Sequence, residues 1–169
     1  MNPLRQSLIV MIGIAMCGSA IACDPIRSHW PSTNVSDFAI NEAGTEATHR
    51  LTGLTWKTCP LGQTVHEGRC RGIASSWTFD DAAELASEVG GQWRLPTLRE
   101  LHSLKGRCSS LFFINREVFP ISFPMAFWSS DTDREQGLAI YFGSDTFTLQ
   151  REARHESYSI LLVRGEWPE

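Results

Sequence analysis

The chain has 169 residues, with 15 lysines and arginines against 19 aspartates and glutamates, for a formal net charge of −4 at pH 7. Such an acidic balance gives no electrostatic footing for nucleic acid or another polyanion, so no nucleic-acid partner is expected. The length is that of one domain preceded by an export segment.

Arg5 gives the N-terminus a positive flank, Leu8 to Ala15 is an uncharged apolar run, and Ala20-Ile21-Ala22 supplies a small-x-small cleavage pattern. Residues 1–22 therefore read as a signal peptide, too short for a spanning helix. The expected location is outside the cytoplasm, in the periplasm or cell envelope, and loss of Arg5 makes the mature domain one charge more acidic. Cys23 would then be the first mature residue. It is either the acylated cysteine of a lipoprotein, with Ala20-Ile21-Ala22 as its lipobox, or a plain cysteine after an ordinary cut. A lipid at Cys23 is the one expected route to a membrane.

Residues 23–37 contain Pro25 and Pro31 and no periodicity, and read as a tether or N-terminal arm. Residues 38–169 read as a single domain. From Phe38 short strands and turns are expected, and Leu51 to Lys57 is β-like. Cys59 and Cys70 flank a stretch that can turn back at Glu67-Gly68, and in an oxidising compartment they are expected to close a disulfide across it. Zinc at Cys59, His66, Cys70 and Cys108 is the competing reading, without any recognised ligand spacing. Cys108 pairs with Cys23 or stays free, so its partner and the lipid anchor are one question.

Thr78 with Asp81 opens a helix whose apolar face is Phe79, Ala82, Ala83, Ala86 and Val89, stopped by Gly90-Gly91. Trp93-Arg94-Leu95-Pro96-Thr97 follows, with Glu100 three places after the threonine. Pro96 biases Leu95 away from helix, and Thr97 with Glu100 forms a capping box. That box starts a second helix on the line Leu98, Leu101, Leu104, ending near Gly106. Arg94 is expected to be half-buried, tying loop to core in preference to holding a ligand.

Strands return in the last third: Ala126 to Ser130, then Leu138 to Phe142, then a turn through Gly143-Ser144-Asp145 into Phe147-Thr148-Leu149. The apolar run Tyr158 to Val163 suits a central strand. Two helices between β segments at both ends predict an α+β fold with its terminal strands side by side.

Sharper chemistry finds little support. Asp131, Asp133 and Glu135 alternate through an expected loop after the Trp128 strand, and read as a solvated acidic turn around Arg134 in preference to a calcium site. Ser129, His155 and Asp131 make a triad only on paper, since no nucleophile elbow surrounds Ser129. The histidines are scattered: His49, His66, His102 and His155 fall on separate segments. Trp56, Trp93 and Trp128 are expected in the core, with Trp30, Trp77 and Trp167 nearer the surface. No catalytic residue, metal or cofactor is expected.

Several segments occur in the order of a known family. They are Thr52-Gly53-Leu54-Thr55-Trp56, the hairpin from Cys59-Pro60-Leu61-Gly62-Gln63-Thr64 to Cys70, and Trp93-Arg94-Leu95-Pro96-Thr97 with Glu100-Leu101. Ile114-Asn115, Phe119-Pro120, Phe127-Trp128-Ser129-Ser130 and Leu162-Val163-Arg164-Gly165 complete the set. Over about residues 40–165 the chain resembles the large bacterial family named for the C-terminal domain of the Legionella collagen-like adhesin.

The resemblance implies a variant of the C-type-lectin-like fold, shared with the formylglycine-generating-enzyme group. That is an α+β domain with two helices, a twisted antiparallel sheet closing on its own termini and a disulfide-closed hairpin. It makes Trp56, Trp93, Arg94, Thr97, Glu100, Trp128 and Arg164 residues of a structural motif. The calcium motifs of sugar-binding lectins and the paired catalytic cysteines of the formylglycine-generating enzymes are absent, and His49 stands where relatives often carry an acid. The chain's acidity speaks against the sulfated glycosaminoglycans associated with the adhesin. The implied function is a non-catalytic exported module with adhesin-like recognition of a surface glycan or protein. The alternative is a periplasmic lipoprotein acting by protein–protein contact, as an assembly accessory or an inhibitor.

Overall fold

A computed structural model describes residues 34–105, 114–143 and 147–168. The expected signal peptide, Cys23 and Trp30, together with Gly106, Cys108 and the Ser144-Asp145 turn, lie outside the described residues.

A short 3-10 turn, Val35–Asp37, leads into β1 (Phe38–Ile40), β2 (Glu46–His49) and β3 (Thr55–Lys57). β4 (Gln63–His66) and β5 (Arg69–Gly72) form a hairpin, followed by β6 (Ser76–Trp77), α1 (Phe79–Glu88) and α2 (Leu98–Ser103). The remainder is β7 (Met125–Asp133), β8 (Gln136–Phe142), β9 (Phe147–Ala153), β10 (Tyr158–Ser159) and β11 (Val163–Arg164). The fold is α+β. The strands form sheets in the orders β1-β2-β3-β11 and β6-β10-β7-β8-β9, with the β4-β5 hairpin apart. All pairings are antiparallel except β10 against β7.

Local chemistry explains most of the elements. Both Glu67 and Gly68 take positive φ, 50° and 68°, which is the two-residue turn whose twist matches a hairpin. Cys59 and Cys70 are disulfide-bonded across it with Cα atoms 5.6 Å apart. The bond consumes both thiolates, which removes the zinc reading. α1 begins where the Thr78 hydroxyl accepts from the Asp81 N–H at 3.3 Å. Its buried face is Phe79, Ala82 and Ala86, with Leu85 packed beside them. Ala83 and Val89, expected on that face, are exposed instead. The packing stripe is narrower than the apolar pattern because β7 and the end of the chain cover only one side of the helix.

Three further expectations are corrected. Only Thr55–Lys57 of the Leu51 to Lys57 stretch is a strand. Residues 51–54 turn through Gly53 at φ +72°, and its N–H donates to the His49 carbonyl at 2.8 Å. The strand containing Trp128 runs on to Asp133, so Asp131 and Asp133 sit on β7 and not in a loop. Tyr158 to Val163 is not one central strand: β10 joins the five-stranded sheet, and β11 crosses to the four-stranded one beside β3. The C-terminal strand thus reaches the N-terminal sheet, but its neighbour is β3 and not β1.

The same run explains its own hydrophobicity. Leu161 and Val163 belong to a core cluster with Phe38, Trp56, Leu101 and Phe119, while Ile160 and Leu162 belong to a second with Phe79, Trp93 and Trp128. Successive side chains of an extended chain point to opposite faces, so a segment between two cores must be apolar at every position. β7 does likewise, sending Phe127 to the first cluster and Trp128 to the second.

Candidate functional site

The motif around Arg94 is where chain segments distant in sequence converge. The Arg94 backbone pairs with Val163 in both directions, N–H to carbonyl at 2.9 Å and the reverse at 3.1 Å. Its guanidinium donates to both Glu100 oxygens at 2.8 and 2.7 Å, to the Leu95 carbonyl at 3.1 Å and to the Gly165 carbonyl at 2.7 Å. Glu100 is 1% exposed, and it also accepts from the Thr97 N–H at 2.7 Å while the Thr97 hydroxyl accepts from the Glu100 N–H at 3.2 Å. One carboxylate thereby caps α2 and anchors the arginine. The pairing with Glu100 raises the Arg94 pKa above its ordinary value, against the opposing effect of burial. Charge-assisted, two-pronged bonds of this kind fix orientation as well as energy.

Asp131 completes the arrangement from β7. Its carboxylate accepts from the Leu98 N–H at 2.7 Å, taking one of the free donors at the start of α2. Asp133 pairs with Arg151 at 2.9 Å. The expected acidic cluster is therefore divided among structural partners, and among the described residues no group of three or more His, Cys, Asp or Glu side chains could hold a metal. The paper triad is likewise dispersed. Ser129 is buried and donates to the Leu138 carbonyl at 2.9 Å, whereas His155 is exposed beside Glu156.

The remaining motif residues fall on both cores. Trp56 meets Phe119 edge-on at 6.4 Å, and Trp128 meets Phe79 at 5.5 Å while donating its indole N–H to the Trp77 carbonyl at 2.8 Å. Trp77 is half-buried against the second core, and Trp167 packs on the first beneath Arg99. Trp93 lies under two cations, with Lys57 Nζ 4.4 Å and the Arg164 guanidinium 4.6 Å from its ring centroid. Glu46 holds both, Lys57 at 2.7 Å and Arg164 at 2.8 Å.

Two openings flank this corner. A groove of about 340 Å³ runs between α1 and β7, with Phe79, Trp93 and Leu95 as its floor and Ala83, Ser87, Arg94, Ser130 and Thr132 around it. A cleft of about 220 Å³ lies along residues 57–65 and reaches Val89 and Leu162.

The family model of the Lcl C-terminal domain matches residues 45–164. The chain belongs to the Lcl C-terminal domain family. No curated protein and no solved structure matches the chain. The match begins just before β2 and ends with β11, so the Lcl domain takes in the whole Arg94 arrangement except the Gly165 carbonyl.

Sequence reasoning missed four residues of this Lcl domain corner. Glu46 and Lys57 are cross-strand partners between β2 and β3, a register that alternation alone does not set. The acids after Trp128 read as a loop in sequence, which hides the capping of α2 by Asp131. Ala83 reads as part of an apolar helix face, which hides the groove it borders. Cys23 and Cys108 lie outside the described residues.

Proposed function

We propose that this Lcl C-terminal domain is an exported, non-catalytic binding module that recognises a surface glycan or protein in the manner of an adhesin. One observation carries the reading. The polar groups that would furnish a reactive site, Arg94, Glu100, Ser129 and Asp131, have their hydrogen bonds directed into the fold, and the openings beside them are lined mostly by apolar and hydroxyl side chains, with Lys57, Gln63 and the fold-bound Arg94 among them. Family membership supports the adhesin-like part, and the return of the last strand to the first sheet supports a C-type-lectin-like variant. Location in the periplasm or cell envelope follows from the N-terminal sequence pattern. Among the described residues no helix is long and apolar enough to cross a membrane.

A second reading, a lipoprotein acting by contact with an envelope protein, draws on Ile73 and Phe123, which are 85% and 71% exposed. The test applies oxidised, purified protein to a glycan array and to intact cell surfaces. Saturable binding is expected. Turnover of a substrate, abolished by one histidine or serine replacement that leaves the fold intact, overturns the proposal.

A further inference from the structure

The β4-β5 hairpin has two unlike faces. Val65 and Cys70 are paired across it and pack on the first core. The alternate positions pair Thr64 with Arg71 and His66 with Arg69, and all four of these side chains are exposed. Arg69 and Arg71 thus stand side by side on the outer face, roughly 6.5 Å apart along the strand.

Their charge is not neutralised locally. Elsewhere Lys57 and Arg164 pair with Glu46, Arg94 with Glu100, Arg151 with Asp133 and Arg154 with Asp80. Arg69 and Arg71 make no ion pair and no side-chain hydrogen bond among the described residues. The hairpin's one carboxylate, Glu67, lies at the turn with His66 4.0 Å away. A chain of net charge −4 therefore carries a cationic face here.

Apolar side chains flank that face. Ile73, two residues past Arg71, is 85% exposed. The Cys70 N–H donates to the Pro120 carbonyl at 3.2 Å, which ties the segment holding Phe123, itself 71% exposed, to β5. None of these four side chains lines the groove or the cleft. Guanidiniums take phosphate in two-pronged bonds, and Ile73 and Phe123 gain only from an apolar layer close to those phosphates. An anionic phospholipid surface supplies both, whereas a polyanion in water would leave the two apolar side chains exposed.

We propose that the outer face of the β4-β5 hairpin, with Arg69, Arg71, Ile73 and Phe123, docks the domain on an anionic phospholipid membrane surface. This goes beyond the binding-module reading and stands independently of it. The test measures partition of the oxidised, purified protein onto vesicles of phosphatidylcholine mixed with phosphatidylglycerol, and onto phosphatidylcholine alone. Partition onto the anionic vesicles alone is expected, weakening as salt is raised. Arg71→Gln should lower it about fivefold, and Arg69→Gln with Arg71→Gln about twentyfold. Ile73→Ser should lower it several-fold, and the melting temperature should stay that of the parent because these positions are exposed. Arg134→Asn, which removes the same charge from the β7-β8 turn at a position with φ +57°, should partition as the parent does. Equal partition onto both vesicle types, or onto anionic vesicles regardless of the arginine replacements, overturns the proposal. Partition that survives Ile73→Ser and Phe123→Ser together overturns the apolar half of the contact. Failure to bind vesicles, with cell-surface binding that still depends on Arg69 and Arg71, assigns the face to a protein or glycan and overturns the membrane.

Discussion

Arg94 and Glu100 hold a loop, a helix start and the end of the chain through hydrogen bonds that a shorter or differently shaped cation cannot reproduce. Arg94→Lys keeps the charge but loses the two-pronged geometry and the reach to Leu95 and Gly165. It should destabilise the domain by about 1–3 kcal/mol in chemical denaturation, toward the lower end because the side chain is 38% exposed. His49 is the residue-scale source of acid sensitivity. It is buried on β2, its Nδ1 lies 2.9 Å from the Thr52 hydroxyl, and burial lowers its pKa below 6.5 against a weaker opposing pull from Asp37. Above that value the ring is neutral whether the chain is folded or not, so it adds no pH dependence. Below it the unfolded chain takes up the proton first, and stability falls until the pH reaches the lowered folded value. His102 acts in the same direction. Melting temperature should therefore drop between about pH 7 and pH 5, and His49→Gln should flatten that slope.

At the scale of elements, α1 is held against β7 and β8 by close aromatic packing over a strand glycine. Gly137 is paired with Glu152 and Thr132 in the sheet, and a Cβ there would stand 2.7 Å from the Phe79 ring and 2.9 Å from the Trp128 ring. Replacing glycine in a strand ordinarily helps by reducing the freedom of the unfolded chain. Here the rings would have to move, and Gly137→Ala should cost about 1–3 kcal/mol, with a change in near-ultraviolet circular dichroism reporting the displaced tryptophan. The helix starts were legible because capping is local: Thr78 with Asp81, and Thr97 with Glu100, act within one turn of chain. The extent of the strands was not. The acids after Ser130 read as the end of β7, yet Asp131 and Asp133 stay in the strand through partners on α2 and β9.

Across the whole molecule, the β4-β5 hairpin stands apart from the other sheets and is secured by the Cys59–Cys70 bond and by the Cys70 N–H to the Pro120 carbonyl at 3.2 Å. The bond spans 11 positions, and closing so short a loop is worth about 3 kcal/mol in the chain-entropy account. Reduction, or Cys59→Ser with Cys70→Ser, should lower stability by about that amount, measured as the shift in denaturant midpoint. The amino-acid sequence by itself determined what depends on near neighbours: the α+β class, the helix caps, the hairpin turn and its disulfide, and the family. A cap or a two-residue turn is decided by hydrogen bonds a few residues apart, and no distant segment can undo it cheaply. Only the tertiary structure decided that the run from Ile160 to Val163 divides two cores, that Glu46 bridges Lys57 and Arg164, and that Ala83 borders an open groove. Each of those depends on which sheet a strand joins and on what covers a helix face. Both are settled by packing between segments far apart in the chain, where an apolar residue fits a core and a groove wall equally well.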